Sequence, residues 1–125
     1  YYTLYRPYHV CAIETPLSGA EAVLYGERTM VPQALVCEVV PIAKRNLSVG
    51  ETVGDIGSAD IYNLVYNYAE EKAKRAVPMG LVAGAKVIKA IAKGEMLTED
   101  NVVLDTTKLV YKLRQLQDAM LATEA

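Results

Sequence analysis

Tryptophan and phenylalanine are absent from this chain of 125 residues, histidine occurs once, and cysteine twice. Without Trp or Phe, aromatic packing falls to the nine tyrosines, and each buried ring brings a hydroxyl that needs a partner or a route to water. Two cysteines, Cys11 and Cys37, are too few for a disulfide scaffold and wrongly spaced for a zinc site, so two reduced, half-buried thiols in a cytoplasmic protein are expected. No apolar run approaches the roughly 20 residues that span a bilayer, and the N-terminus lacks the basic-then-apolar pattern of a signal peptide. A membrane partner is not expected. Charge of neither sign dominates: the net charge is -2, and no Lys/Arg run is longer than Lys44-Arg45 or Lys74-Arg75. That balance lacks the electrostatic footprint of a phosphate-backbone binder and argues against nucleic acid.

What is present is 52% hydrophobic residues, enough for one domain with a real core. The first ten residues carry four tyrosines and His9. Thr15-Pro16 followed by Leu17, Ala20, Val23 and Leu24 reads as an N-cap, a proline at the first helical position and an apolar stripe, predicting a helix over about 16–25 that Gly26 ends. Residues 34–42, "ALVCEVVPI", are apolar and β-branched with Glu38 as the one charge, a buried-strand pattern whose Pro41 belongs at an edge or bulge. Gly50, Gly54 and Gly57 mark sharp bends. Residues 61–68, "IYNLVYNY", fit strand or helix. The following "AEEKAKRA" is helix-forming, with Pro78 and Gly80 closing that element. Two short strands around turns are expected in 80–104. Asp105 or Thr106 can then cap a last helix with Leu109, Leu113, Leu116 and Met120 on one face, a core or interdomain surface.

One stretch occurs twice. Placing Gly50-Glu51 of "RNLSVGETV" on Gly94-Glu95 of "KAIAKGEMLTEDNV" aligns Arg45 with Lys89, Leu47 with Ile91 and Val53 with Leu97. Each copy reads as a strand entering a Gly turn and an apolar segment returning to the core; chance similarity of two turns is the other reading. In the second copy the Thr98 hydroxyl can cap one helical turn, with Asp100 and Asn101 near its end.

The segments "VVPIAKRNLSVGETV" and "AKVIKAIAKGEMLTEDNVVL" resemble the SAF family. Its members include antifreeze-like domains, a flagellar P-ring chaperone and small domains of sugar-acid dehydratases, and its fold is the β-clip. The resemblance implies a mixed, mainly β chain with a few helices: residues 1–33 as a linker segment and short helix from the junction with an upstream domain, and residues 34–125 as an SAF-like β-clip domain with a C-terminal amphipathic helix. Over nearly the whole chain, "YRPYH", "TPLSGAEAVLYGE", "AKRNLSVGE", "VPMGLVAGAKV" and "LVYKLRQLQDAM" resemble the C-terminal part of homoserine-dehydrogenase-like NAD(P)-dependent oxidoreductases, a branch of which acts as a reductoisomerase-like enzyme on deoxyxylulose phosphate. The resemblance implies that this chain is the tail of a longer enzyme. Its partner is then an upstream Rossmann and catalytic domain of the same polypeptide that holds NAD or NADP, with homo-oligomerisation left open.

The chain itself lacks the G-x-G-x-x-G of a dinucleotide site; "GDIGS" has two glycines in the wrong context. No cofactor is therefore expected in this chain. Arg6, Tyr8 and His9 lie where the chain would leave an upstream domain. They are candidates to face a substrate, Arg6 holding an anion and His9 titrating near neutrality, or to make structural hydrogen bonds in a linker. Glu70-Glu71 reads as a solvated helix face with Lys74, and Glu99-Asp100 as part of a turn. Ser18, Ser48 and Ser58 have no nucleophile elbow around them, and no catalytic residue, cofactor site or metal site is predicted. Gly50, Glu51, Gly94 and Glu95 are structural turn residues. The function implied is that of an accessory SAF-like domain with a structural, docking or substrate-gating role and no catalysis alone. The alternative is a stand-alone SAF module that binds a sugar acid or acts as a periplasmic chaperone.

Overall fold

The computed structural model describes residues 3, 5, 11–29, 31 and 34–123, apart from the side chains of residues 13, 122 and 123. Its backbone forms two units, Tyr1–Ala34 and Leu35–Ala125. Among the described residues the fold is mixed, with four helices and two small antiparallel sheets. The expectation of a mainly β chain is thereby corrected, because helices are as numerous as strands.

In the first unit, helix α1 spans Cys11–Leu24 and holds Pro16 inside it. The predicted start at Pro16 is too late. Residues 11–15 supply a turn ahead of the proline, and the backbone bond forgone is the one a residue-16 N–H would give the Ala12 carbonyl. Gly26, at φ +68°, ends the helix, after the Tyr25 N–H donates to the Glu21 carbonyl (3.1 Å).

In the second unit, β1 (Cys37–Ala43) pairs antiparallel with β2 (Ile61–Asn67), from Cys37 opposite Asn67 to Ala43 opposite Ile61. The segment that fitted either state divides: β2 runs to Asn67, and α2 (Tyr68–Lys74) follows at once. Helix α2 ends before Pro78, at Arg75, which adopts the left-handed conformation (φ 50°). Arg75 is the one non-glycine with positive φ among the described residues. Its guanidinium meets Asp100 at 2.8 Å and Glu99 at 3.2 Å, while its carbonyl accepts from the Glu99 N–H. A one-turn helix not foreseen from sequence, α3 (Met79–Val82), follows. The two short strands are β3 (Lys86–Val87) and β4 (Val102–Val103), paired antiparallel, and α4 (Leu109–Thr123) closes the chain.

The repeated turn organises the core. The Leu47 and Ile91 backbones exchange hydrogen bonds with each other (2.8 and 3.0 Å). Around that pair the two copies bond in the same pattern. Gly50 N–H donates to Val87 O and Gly94 N–H to Ala43 O; Val53 N–H donates to Ala85 O and Leu97 N–H to Pro41 O; Val87 N–H donates to Glu51 O and Ala43 N–H to Glu95 O. Each copy therefore supplies the strand on which the other closes. Gly50 and Gly94 have φ of +90° and +88°, which a residue with a Cβ rarely adopts. The Glu51 carboxylate accepts from Ser48 N–H (2.8 Å) and that of Glu95 from Ala92 N–H (2.7 Å). The apolar positions of both copies, Ala43 and Val87, Leu47 and Ile91, Val53 and Leu97, are buried together.

Pro41 fits this scheme. Its carbonyl accepts from Leu97 N–H, and in an antiparallel strand the N–H and C=O of one residue point to the same side. The missing donor thus falls on the edge of β1 away from β2. The core is aliphatic throughout, with Tyr111 packed against it only partly buried. Among the described residues every tyrosine is half-buried or exposed, which leaves each hydroxyl a route to water.

Candidate functional site

Helix α4 turns its leucines outward. Leu109 is 70% exposed, and Leu113, Leu116 and Met120 between 56% and 58%. The core alternative for this stripe is overturned. The half-buried residues are instead Tyr111, Arg114, Asp118 and Leu121, which recur at helical spacing on a different face. The cause is what α4 meets. Glu38 on β1 and Lys72 on α2 are charges that need partners, and Arg114 and Asp118 provide them.

Arg114 Nη1 donates to Glu38 Oε2, and Arg114 Nε to Asp118 Oδ1 at 2.9 Å. Lys72 Nζ donates to Asp118 Oδ2 at 2.9 Å, and the Tyr68 hydroxyl reaches Asp118 Oδ1 at 3.5 Å. The second oxygen of Glu38 accepts from Val39 N–H (2.9 Å). Burial works against ionising Asp118, but the hydrogen bonds from Lys72 and Arg114 outweigh it and hold that carboxyl below the usual aspartate value. Burial likewise opposes the Arg114 charge and is outweighed by Glu38 and Asp118, so the guanidinium stays charged. The network fastens α4 to β1 and α2. The Asp118 carboxylate, held below its usual value, carries no proton to give at neutral pH.

Glu71 is the residue that sequence reasoning missed. Read as part of a solvated pair, it is only 2% exposed, and burial raises its carboxyl above the ordinary glutamate value. Glu71 and Arg114 both line a cavity of about 30 Å³, and Glu71 Oε2 and Arg114 Nη2 are each buried without a hydrogen-bond partner. Lys74, expected to pair with Glu70, lies over the Tyr66 ring at 4.7 Å. The signal available in sequence was Glu38, a lone charge inside an apolar strand, which required a cation from elsewhere.

A raised carboxyl pKa in the folded state means that the native protein binds this proton more tightly than the unfolded chain does. Its contribution is complete below the ordinary glutamate value and is lost as pH rises through the elevated one. Glu71→Gln keeps the shape and cannot ionise. Urea unfolding at about pH 4 and pH 8 should therefore show the variant gaining on the order of 1 kcal/mol over the parent at the higher pH, with little difference at the lower. An equal difference at both pH values would count against a titrating Glu71.

The candidate residues Arg6, Tyr8 and His9 lie outside the described residues. At the turns, Arg45 binds Glu51 (2.6 Å) and Asp60 (2.8 Å), and the Glu51 carboxyl is lowered to about 2, chiefly by Arg45 and then by the Ser48 N–H. In the second copy Asn101, rather than the Thr98 hydroxyl, makes the cap: its Oδ1 accepts from Thr98 N–H (2.8 Å). The glycines of "GDIGS" precede β2, and the Gly54 N–H is taken by Asp60 Oδ2 (2.9 Å). Cys11 and Cys37 are both exposed, not half-buried, because each lies on a stretch outside the core.

Two hollows flank these elements. One, of about 510 Å³, lies between α3 and α4 and is walled by Pro78, Leu81, Val110 and Leu113 with Glu38, Arg114 and Gln117 beside them. The other, of about 400 Å³, borders the second turn and is polar, with Lys89, Glu95, Thr98, Asp100 and Asn101 on its wall. Among the described residues, no group of three or more His, Cys, Asp or Glu side chains could hold a metal ion, and no helix is long and apolar enough to cross a membrane. The chain matches no protein-family model and no curated protein.

Proposed function

We propose that this chain is an accessory SAF-like β-clip domain of an NAD(P)-dependent, homoserine-dehydrogenase-like oxidoreductase, with a structural, docking or substrate-gating role and no catalysis alone. The observation that carries this reading is the interlocked pair of turns, in which each copy closes on the other's strand. A β-clip is built from bent strands folded back over one core, and the interlocked turns support that reading. The docking role draws on apolar side chains left outside the core: the α4 stripe, and Tyr62, Leu64 and Val65 on β2. Nicotinamide chemistry would belong to a separate upstream domain, in keeping with the lack of a glycine-rich strand-to-helix turn here.

A stand-alone binding module is the second reading, favoured by the polar hollow at the second turn, whose hydroxyl, amide and charged groups suit a hydrophilic ligand. The native protein's mass in its source cells, detected with an antibody to this chain, separates the two. A mass several times 13.7 kDa is expected for the accessory domain. A mass near 13.7 kDa, or micromolar binding of NAD(P)H by this chain in a fluorescence titration, overturns it.

A further inference from the structure

We infer that the cavity shared by α2 and α4 is an internal water site, in which one water accepts a hydrogen bond from Arg114 Nη2 and donates one to Glu71 Oε2. Both residues line that cavity of about 30 Å³, and both atoms are buried with no partner among the described residues. Glu71 is 2% exposed. Leaving a buried donor and a buried acceptor unanswered is the costly arrangement. The rest of the network stands in the way of a direct bond between the two. Arg114 gives Nε to Asp118 and Nη1 to Glu38, and a planar guanidinium held at two of its nitrogens cannot turn the third toward a new acceptor.

Size and charge select the occupant. A buried water needs roughly 10–15 Å³ of cavity and binds through roughly two to four polar partners. About 30 Å³ therefore admits it and excludes an organic molecule or a hydrated ion. The charged side chains on the cavity wall are Glu71 and Lys72 from α2, Glu99 from the second turn, and Arg114 and Asp118 from α4. An anion would face three acidic side chains. A cation would face Lys72 and Arg114 and would have to give up its hydration shell. What remains is a small neutral molecule that both accepts and donates, as water does.

Bound there, the water extends the ion network. Arg114 already ties α4 to β1 through Glu38, and Lys72 ties α2 to α4 through Asp118. The water adds a second link between α2 and α4, from Glu71 to Arg114. Its residence should outlast molecular tumbling, because both atoms it holds are buried and its escape needs a local opening of the fold. The site is independent of the function proposed above, since it belongs to the packing of this chain alone.

Magnetic relaxation dispersion of the water oxygen, recorded on the full chain, counts such long-lived waters. Glu71→Leu removes the acceptor, and the dispersion amplitude should fall by one water. Glu71→Gln retains an acceptor and should keep the parent amplitude, with circular dichroism checking that each variant is folded. A second readout needs no variant. A high-resolution crystal structure of the unaltered chain should place an ordered water within about 3 Å of both Glu71 Oε2 and Arg114 Nη2. A dry cavity, a direct bond between Glu71 and Arg114, or equal amplitudes for Glu71→Leu and the parent overturns the proposal.

Discussion

Leu47→Ala is expected to lower the unfolding free energy by about 3 kcal/mol, and Ile91→Ala by a similar amount, the usual cost of a cavity at a buried aliphatic site. Both side chains are at most 2% exposed and lie in one cluster. Because they also exchange backbone hydrogen bonds, the double variant should fall short of the sum by about 1 kcal/mol. The sharper test is amide exchange. The N–H groups of Gly50 and Val53 are accepted by carbonyls near the second copy, and those of Gly94 and Leu97 by carbonyls near the first. Loosening the shared centre should speed exchange at all four together. A urea-derived cost below about 1 kcal/mol, or faster exchange confined to residues 50 and 53, would show that the copies do not depend on each other.

Arg114→Met should cost about 3 kcal/mol, although it preserves most of the side-chain volume, because it strands the Glu38 carboxylate, which the fold has largely removed from water, while Asp118 keeps Lys72. The side chains of Arg114 and Glu38 are 11% and 14% exposed, so added salt should recover little of the loss. Adding Glu38→Gln to this variant should restore at least about 1 kcal/mol. The amide still accepts from the Val39 N–H and is no longer an unpaired charge. Arg75 provides the contrast: its ion pairs with Glu99 and Asp100 are more than half exposed, and neutralising either acid should change stability by less than about 1 kcal/mol. Equal costs at Arg114 and Arg75 in urea unfolding at pH 7 would remove the distinction between the buried network and a surface pair.

Much of the architecture is readable one segment at a time. The β-branched run around Val39 and Val40 forms β1, Gly26 ends α1, and the leucine periodicity after Asp105 forms α4. The alignment of Gly50 with Gly94 located both turns. Reading stopped where a residue's state depends on something distant. Glu71 and Glu70 are indistinguishable in composition and neighbours, yet Glu71 is buried and Glu70 exposed. The short helix α3 carries too few residues for a period to register.

The sequence by itself determined where the chain bends and the character of β1, α1 and α4, because glycine φ preferences, β-branching and helical spacing act over a few residues. Only the tertiary structure decided which face of α4 turns inward, that the two turns close on each other's strands, and that Glu71 sits out of water. Those outcomes depend on pairs far apart in the chain: Leu47 with Ile91, and Glu38 with Arg114. A charge on β1 that must be answered outweighs a leucine stripe, which is left exposed.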